Sequence, residues 1–357
     1  MELCLYDPEY GYYSRHANQF GKAGDFYTSS DIHAVFGRLM ARQFEQMWRV
    51  MDTPSRIEVK ELGPGRGLFA EDVLDWSEKK FPDFFQALHY VLVESSPKLH
   101  ESIQRTLARH LENGKATLVP ALEMHGENEA RPAEIIFANE FFDALPVEIL
   151  SCEGALRIGL QDGRLSEFWA APSSEELEFL DRYSVHPEPG ERLEVPLKAQ
   201  ELMDKAARID RGFILAIDYG YTRPEQLAGR HRGTLKAIRQ HSVSANPYEA
   251  PGEQDLTSDV NFTALGGILE KCGVRAEKLI TQSQFLMGIG EENEFADAFE
   301  DCRLPKECAK VALQLKHLVT PAGMGESFHV LIGSKAVDHQ RVKTLGGLRF
   351  AAPRLER

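Results

Sequence analysis

The chain has 357 residues, 43% hydrophobic and 27% charged, with a formal net charge of −14. These are globular proportions, and the length fits one large α/β domain with insertions or two ordinary domains. No run approaches the ~18 apolar residues that span a bilayer, no basic-then-apolar opening reads as a secretory signal, and the acidic balance repels phosphate backbones. A general nucleic-acid binder and membrane insertion are therefore disfavoured, and a basic protein segment is the more natural macromolecular partner.

Residues 1–30 are tyrosine- and glycine-rich, with Tyr6, Tyr10, Tyr12 and Tyr13 followed by Gly24-Asp25-Phe26-Tyr27-Thr28-Ser29. This is either a surface loop held by aromatic packing or a lid over a pocket, since tyrosine offers a flat apolar face with a polar tip. Ser30 or Asp31 can cap a helix from Ile32 to about Met51, whose apolar stripe includes Phe36, Met40, Phe44 and Met47. Residues 1–56 form this lid and helix.

Ile57 to Leu62 reads as a strand that runs into Gly63-Pro64-Gly65-Arg66-Gly67, and Leu68 to about Lys80 has helical periodicity. Further strands are expected at His89–Glu94, Ala116–Val119 and Glu134–Ala138, with a helix from Ser96-Pro97 to about Leu111 and loop from Glu123 to Arg131. The pattern over 57–150 is the first part of a doubly wound, mostly parallel sheet. In 151–211, Glu153-Gly154 and Asp162-Gly163 separate alternating runs, the signals of an antiparallel β insertion. Residues 171–192 are polar and loop-like, and Lys198 to Ile209 is helical.

Gly212 to Gly220 returns to the parallel sheet, and 212–333 completes the Rossmann-like domain. This part carries short strands around Gly233–Leu235 and Val274–Leu279, a helix reaching Lys271, a helical insertion at about 282–320 and a final strand over Gly325–Ile332. The basic stretch 334–357 is expected to be peripheral. The five cysteines, Cys4, Cys152, Cys272, Cys302 and Cys308, have no CxxC spacing. They are read as free packing thiols in a reducing compartment, with no metal site.

The glycine turn lets a ligand approach bare backbone at the C-terminal edge of the sheet. Its G-x-G-x-G spacing departs from the dinucleotide pattern G-x-G-x-x-G/A, and no P-loop lysine follows. Glu61, two residues before Gly63, favours a ligand with a positive end over bare pyrophosphate. Glu94 ends the next strand, where an acid accepts ribose hydroxyls. A nucleoside with a cation and no phosphate describes S-adenosyl-L-methionine better than NAD; a glycine turn that serves packing alone is the competing reading. Across the switch point, Asn139-Glu140-Phe141-Phe142-Asp143-Ala144-Leu145-Pro146 places two carboxylates and an amide at the mouth of a cleft. Such a pair favours a cation between its members, and arginine has a planar fork that fits carboxylates. Asn139 and Asp143 can equally serve as helix caps.

Together with Tyr10-Gly11-Tyr12-Tyr13, Asp218-Tyr219-Gly220 and Met324-Gly325-Glu326-Ser327-Phe328, these motifs resemble the MidA-like family of S-adenosyl-L-methionine-dependent methyltransferases from Leu5 to Ile332. The resemblance implies a class I methyltransferase fold and a protein substrate with an exposed arginine, methylated to symmetric dimethylarginine. It also implies S-adenosyl-L-homocysteine as product and respiratory complex I assembly as setting, with a core complex I subunit as acceptor in mitochondria. The compartment is the mitochondrial matrix if the source is eukaryotic and the cytoplasm if bacterial, and a homodimer is compatible with it. By position, Gly63, Gly65 and Gly67 would line the cofactor with Glu61, Glu94 would hold the ribose, and Asn139 would lie by the methionine end. Glu140 and Asp143 would orient the guanidinium, and Asp25 and Tyr27 would complete the pocket. One departure stands out. The family pattern D-x-T-A-H-V-D-F is here Asp255-Leu256-Thr257-Ser258-Asp259-Val260-Asn261-Phe262, without its histidine; His241 is a candidate replacement. The remaining alternatives are a small-molecule methyltransferase, a silent assembly chaperone on the same scaffold, and a dehydrogenase, which the glycine spacing disfavours.

Overall fold

The structure is a computed structural model that describes residues 1–15, 34–122, 133–239, 242–244 and 246–351. Asp25, Tyr27, His241, the helix start at Ser30–Ile32 and the loop from Glu123 to Arg131 lie outside the described residues. The expected helix is present as α1 (Ala34–Val50), followed by β1 (Ile57–Leu62), α2 (Leu68–Lys80), β2 (Leu88–Val93), α3 (Pro97–Thr106), β3 (Ala116–Val119) and β4 (Ala133–Asn139). An inserted unit comprises β5 (Glu148–Ser151), β6 (Gly154–Gln161), β7 (Arg164–Ala170), α4 (Ser174–Tyr183) and β8 (Leu193–Val195). After it come α5 (Leu197–Ala206), β9 (Gly212–Tyr221), β10 (Lys236–Arg239), β11 (Ser242–Ser244), β12 (Asp255–Thr257), β13 (Val260–Asn261) and α6 (Phe262–Lys271). The chain continues through β14 (Arg275–Ala276), β15 (Ile280–Thr281), α7 (Gln282–Glu291), α8 (Pro305–Val319) and β16 (Phe328–Lys335).

The main sheet runs β14-β16-β9-β4-β1-β2-β3, parallel from β9 to β3, with β16 antiparallel to β9. This is the expected α/β fold, doubly wound about the reversal between β1 and β4. Strand alternation builds its two apolar layers. Ile135, Phe137, Phe213, Leu215 and Ile217 face the side covered by Phe36, Phe44, Phe69 and Val73 of α1 and α2. Ile136, Ala138, Ile214 and Ala216 face Ala199, Met203, Leu265 and Leu269 of α5 and α6. The inserted strands form a separate antiparallel sheet ordered β7-β6-β5-β8, with Leu150, Ala155 and Val195 packed on Phe179 and Leu180 of α4.

The structure differs from the sequence reading at five places, each with a local cause. Residues 171–192 contain α4, started by a capping box in which Ser173 and Glu176 exchange side-chain-to-backbone bonds. The expected helix from Ser96 to Leu111 breaks at buried Leu107, whose φ of −102° and ψ of 18° are not helical. The strand expected at Gly233–Leu235 begins at Lys236 instead, because the Thr234 and Leu235 amides donate to the Glu194 carboxylate at 2.7 and 2.8 Å. Val274–Leu279 is interrupted: Ala276 pairs with Gly333 and Ile280 with Val330, so three residues oppose two and the strand bulges. The stretch from 334, expected to be peripheral, is packed in over its described part. Val342, Leu345 and Leu348 are buried, and the Gly346 and Gly347 amides donate to the Gln46 and Gln43 side chains of α1, each at 2.9 Å.

Leu345 is 1% exposed within the core beside α1. Leu345→Ala is expected to lower unfolding free energy by about 2–5 kcal/mol in denaturant titration; an unchanged midpoint would mean that this segment is not part of the cooperative unit.

Candidate active site

A cavity of about 1390 Å³ opens at the C-terminal edge of the parallel strands, where β1 and β4 diverge. It exceeds the ~300–1,000 Å³ usual for one small ligand, so a nucleoside cofactor and an acceptor side chain fit together. Its lining includes Glu61, Gly63, Gly65, Glu94, Asn139, Glu140 and Asp143. The structure thus gathers seven of the eight described residues singled out from the sequence. Gly67 is the exception: it caps α2 in the left-handed region, at φ 79°.

The glycine turn owes its shape to backbone conformations that favour glycine. Gly63 (φ 66°) lies against Phe141, whose ring carbon would be 2.8 Å from an added Cβ. Gly65 (φ 54°) would place a Cβ with no protein atom within 4 Å, so its exposed backbone forms a cradle that a ligand can approach. Glu61 is 5% exposed and accepts a 2.9 Å bond from the Tyr90 hydroxyl; burial pushes its carboxyl up to about 8. Glu94 is 8% exposed and accepts from the Ser96 amide at 2.7 Å; burial pushes it to about 7. Leu99, Pro120 and Leu122 supply apolar wall nearby. A bare glycine cradle, buried acids that a cation or hydroxyl donors would ionise, and an apolar wall together fit S-adenosyl-L-methionine.

The opposite wall is the loop after β4, held by Asp218 in the last part of β9. Asp218 is fully buried, and its Oδ2 accepts from the amides of Phe141, Phe142 and Asp143 at 3.2, 3.0 and 3.3 Å, while Oδ1 accepts from its neighbour Tyr219. Burial, then the Asp143 and Glu140 charges, push the Asp218 carboxyl up, and the amide donors oppose that rise. Glu140 begins the loop in the left-handed region (φ 49°), unusual for a non-glycine residue. Its amide donates to the Ile217 carbonyl at 2.9 Å, and its carboxylate accepts from the Asn139 amide at 3.2 Å.

Asp143 is committed differently from what its sequence position suggests. Its Oδ2 accepts from the Tyr219 hydroxyl at 2.6 Å and the Thr257 hydroxyl at 2.8 Å, which narrows the part it can play toward a guanidinium. Neither Tyr219 nor Thr257 was singled out as a site residue, although both sit in quoted motifs. Their signal was a hydroxyl one or two residues after an acid, Asp218 for Tyr219 and Asp255 for Thr257, which gains meaning only when β9 and β12 are brought to one loop. The amino-terminal segment also reaches the site. Tyr6 and Tyr13 line the cavity; the Tyr6 hydroxyl donates to the Ala144 carbonyl and that of Tyr13 to Asp255, each at 3.0 Å. The Ser96 hydroxyl donates to the Tyr13 carbonyl at 3.1 Å.

Residues 39–280 match the model of a family described as "Putative S-adenosyl-L-methionine-dependent methyltransferase". The chain belongs to this methyltransferase family. A Drosophila melanogaster relative, "Protein arginine methyltransferase NDUFAF7 homolog, mitochondrial", is 31% identical over 93% of this chain and 79% of its own length. A human relative, "Protein arginine methyltransferase NDUFAF7, mitochondrial", is 26% identical over 96% and 80%. A Burkholderia thailandensis protein whose crystal structure holds S-adenosyl-homocysteine matches in fold, with TM-score 0.78 and 24% identity, covering 94% of this chain and 87% of that one. The methyltransferase activity, the S-adenosyl-L-methionine cofactor and the MidA-like resemblance are thereby borne out. Among the described residues no helix is long and apolar enough to cross a membrane.

Asp218→Asn leaves an amide nitrogen facing backbone donors. It is expected to cost about 1–3 kcal/mol in thermal unfolding and to lower turnover on the order of tenfold by loosening the loop. Unaltered turnover in the folded variant would show that the clamp does not position the reacting groups.

Proposed function

We propose that this methyltransferase modifies an arginine side chain of a protein, with a respiratory complex I subunit or its bacterial counterpart as acceptor. The supporting observation is the acidic wall opposite the glycine turn, where Glu140 and Asp143 share one cavity with the cofactor cradle. The Drosophila melanogaster and human relatives, named as mitochondrial protein arginine methyltransferases, add support. The working compartment is then the mitochondrial matrix in a eukaryote and the cytoplasm in a bacterium.

S-adenosyl-L-methionine supplies an electrophilic methyl group and leaves as S-adenosyl-L-homocysteine. Gly65 would give it bare backbone, Glu94 would accept the ribose hydroxyls, and Glu61 and Asn139 would hold the methionine end. Glu140 pairs with the guanidinium and localises its charge on the nitrogens away from the donor, leaving the near nitrogen's lone pair available. Asp143, fixed by Tyr219 and Thr257, adds negative potential behind Glu140. An arginine has a pKa above 12, so it enters protonated, and catalysis rests on orientation and exclusion of water.

Incubating the enzyme with a cell lysate and methyl-labelled cofactor, followed by mass spectrometry, should place label on arginine; label confined to small molecules contradicts the proposal. Glu140→Gln should keep cofactor binding within about threefold and lower turnover by two orders of magnitude or more, and unchanged turnover sinks that assignment. Burial raises Glu61 and Glu94 to about 8 and about 7, whereas a ligand that brings an α-ammonium group and ribose hydroxyls favours their ionised forms. Binding therefore releases protons, and affinity rises with pH. Calorimetric titration with S-adenosyl-L-homocysteine should show about three- to tenfold tighter binding at pH 7.5 than at pH 6; a flat profile removes both carboxylates from the cofactor site.

A further inference from the structure

We propose that His231 is the proton acceptor of the methyl-transfer site and that Asp259 is its positioning residue, an inference that rests on the arginine reading above. His231 lies in the turn between β9 and β10 and lines the cavity that holds Glu140 and Asp143. Two features fix its ring. It stacks on Tyr221 at 5.2 Å and 15°, and its Nδ1 lies 2.8 Å from Asp259 Oδ2. Asp259 is itself anchored: its Oδ1 accepts from Lys236 Nζ at 3.2 Å, and its amide donates to the Thr234 hydroxyl at 3.1 Å. A carboxylate at Nδ1 selects the tautomer protonated there, which leaves the Nε2 lone pair as the acceptor. The imidazole keeps 29% of its surface exposed while Asp259 keeps 11%, the arrangement of a reachable base over a shielded orienting acid.

The dyad belongs to the wall that carries Asp143. Lys236 Nζ sits 5.8 Å from the centre of the Tyr219 ring, and the Tyr219 hydroxyl donates to Asp143. Glu140 and Asp143 can hold a guanidinium but favour its protonated form, so they are poor sinks for the proton that methylation must expel. His231 supplies the sink. As the nitrogen–carbon bond forms and the sulfur–carbon bond breaks, the attacked nitrogen passes its proton to Nε2. The guanidinium keeps one positive charge, the sulfonium becomes a neutral thioether, and the new imidazolium is stabilised by Asp259. The proton then leaves from the exposed ring edge to water. Other ionisable groups sharing this part of the wall include Tyr221 on β9, Glu225 on the short helix Arg223–Leu227, Arg230 after it, Lys236 on β10, Glu326 just before β16 and His329 on β16. The motif that led to Asp259 thus gains a partner that sequence spacing did not indicate, 28 residues upstream.

The test uses the full-length enzyme with an arginine-bearing protein acceptor, at saturating cofactor so that cofactor binding does not shape the profile. Wild-type kcat should fall on an acidic limb; His231→Gln should lose that limb and at least tenfold in kcat, with added imidazole restoring part of the rate. Asp259→Asn should lower kcat with little change in KM. A second readout needs no turnover. In NMR of the enzyme without cofactor, the His231 ring signals should respond to added acceptor, and Asp259→Asn should deplete the Nδ1-protonated tautomer seen in the ring nitrogen shifts, because the carboxylate that selects it is gone. A limb and a kcat retained within twofold in a folded His231→Gln variant overturn the proposal, as does a tautomer unmoved by Asp259→Asn. If the wild-type enzyme puts no label on arginine at all, the arginine reading fails instead.

Discussion

The site depends on one buried carboxylate. Asp218 lies in the last part of β9 and gathers four backbone amides, three from the loop that follows β4. Consecutive amides in a tight loop must be satisfied once water is excluded. A single carboxylate meets that need and at the same time fixes the loop against the strand. The neighbouring Glu140 and Asp143 carboxylates raise the cost of ionising Asp218, and the amide donors offset it. The acidic wall is therefore mutually constrained: two acids face the cavity because a third, behind them, holds their backbone.

The two halves of the site are joined by contact as well as by topology. Phe141 of the acid-bearing loop packs on Gly63 of the cofactor turn, where any side chain would clash with the ring. The Ser96 side of the Glu94 corner bonds to Tyr13, and Tyr13 in turn bonds to Asp255 beside the acceptor region. A ligand that orders the glycine turn or the Glu94 corner thus acts on groups that also shape the acceptor half. The glycine turn and the acid-bearing loop form one packed unit rather than two adjoining clefts.

The parts of this protein governed by local chemistry were legible in the sequence. The strand–glycine turn–helix unit, the acid at the end of β2, the hairpin signals of the insertion and the acid-rich loop after β4 each carry their cause within a few residues. What escaped depended on partners distant in sequence. Asp143 reads as a free carboxylate until β9 and β12 bring Tyr219 and Thr257 to it. The Gly233–Leu235 amides read as strand donors until Glu194 takes two of them. The stretch from 334 reads as peripheral by charge, yet Val342, Leu345 and Leu348 complete a core against α1. Helix α4 is the opposite case: its Ser173–Glu176 capping box was readable and was outweighed by the polar, proline-bearing composition around it.

The most direct test of the account is a crystal structure of the enzyme with S-adenosyl-L-homocysteine and an arginine-bearing acceptor peptide. The account predicts the ribose hydroxyls on Glu94, the methionine portion against Gly63 and Gly65, and the sulfur facing a guanidinium paired with Glu140. A ribose bound away from Glu94, or a guanidinium seated on carboxylates other than Glu140 and Asp143, would contradict it.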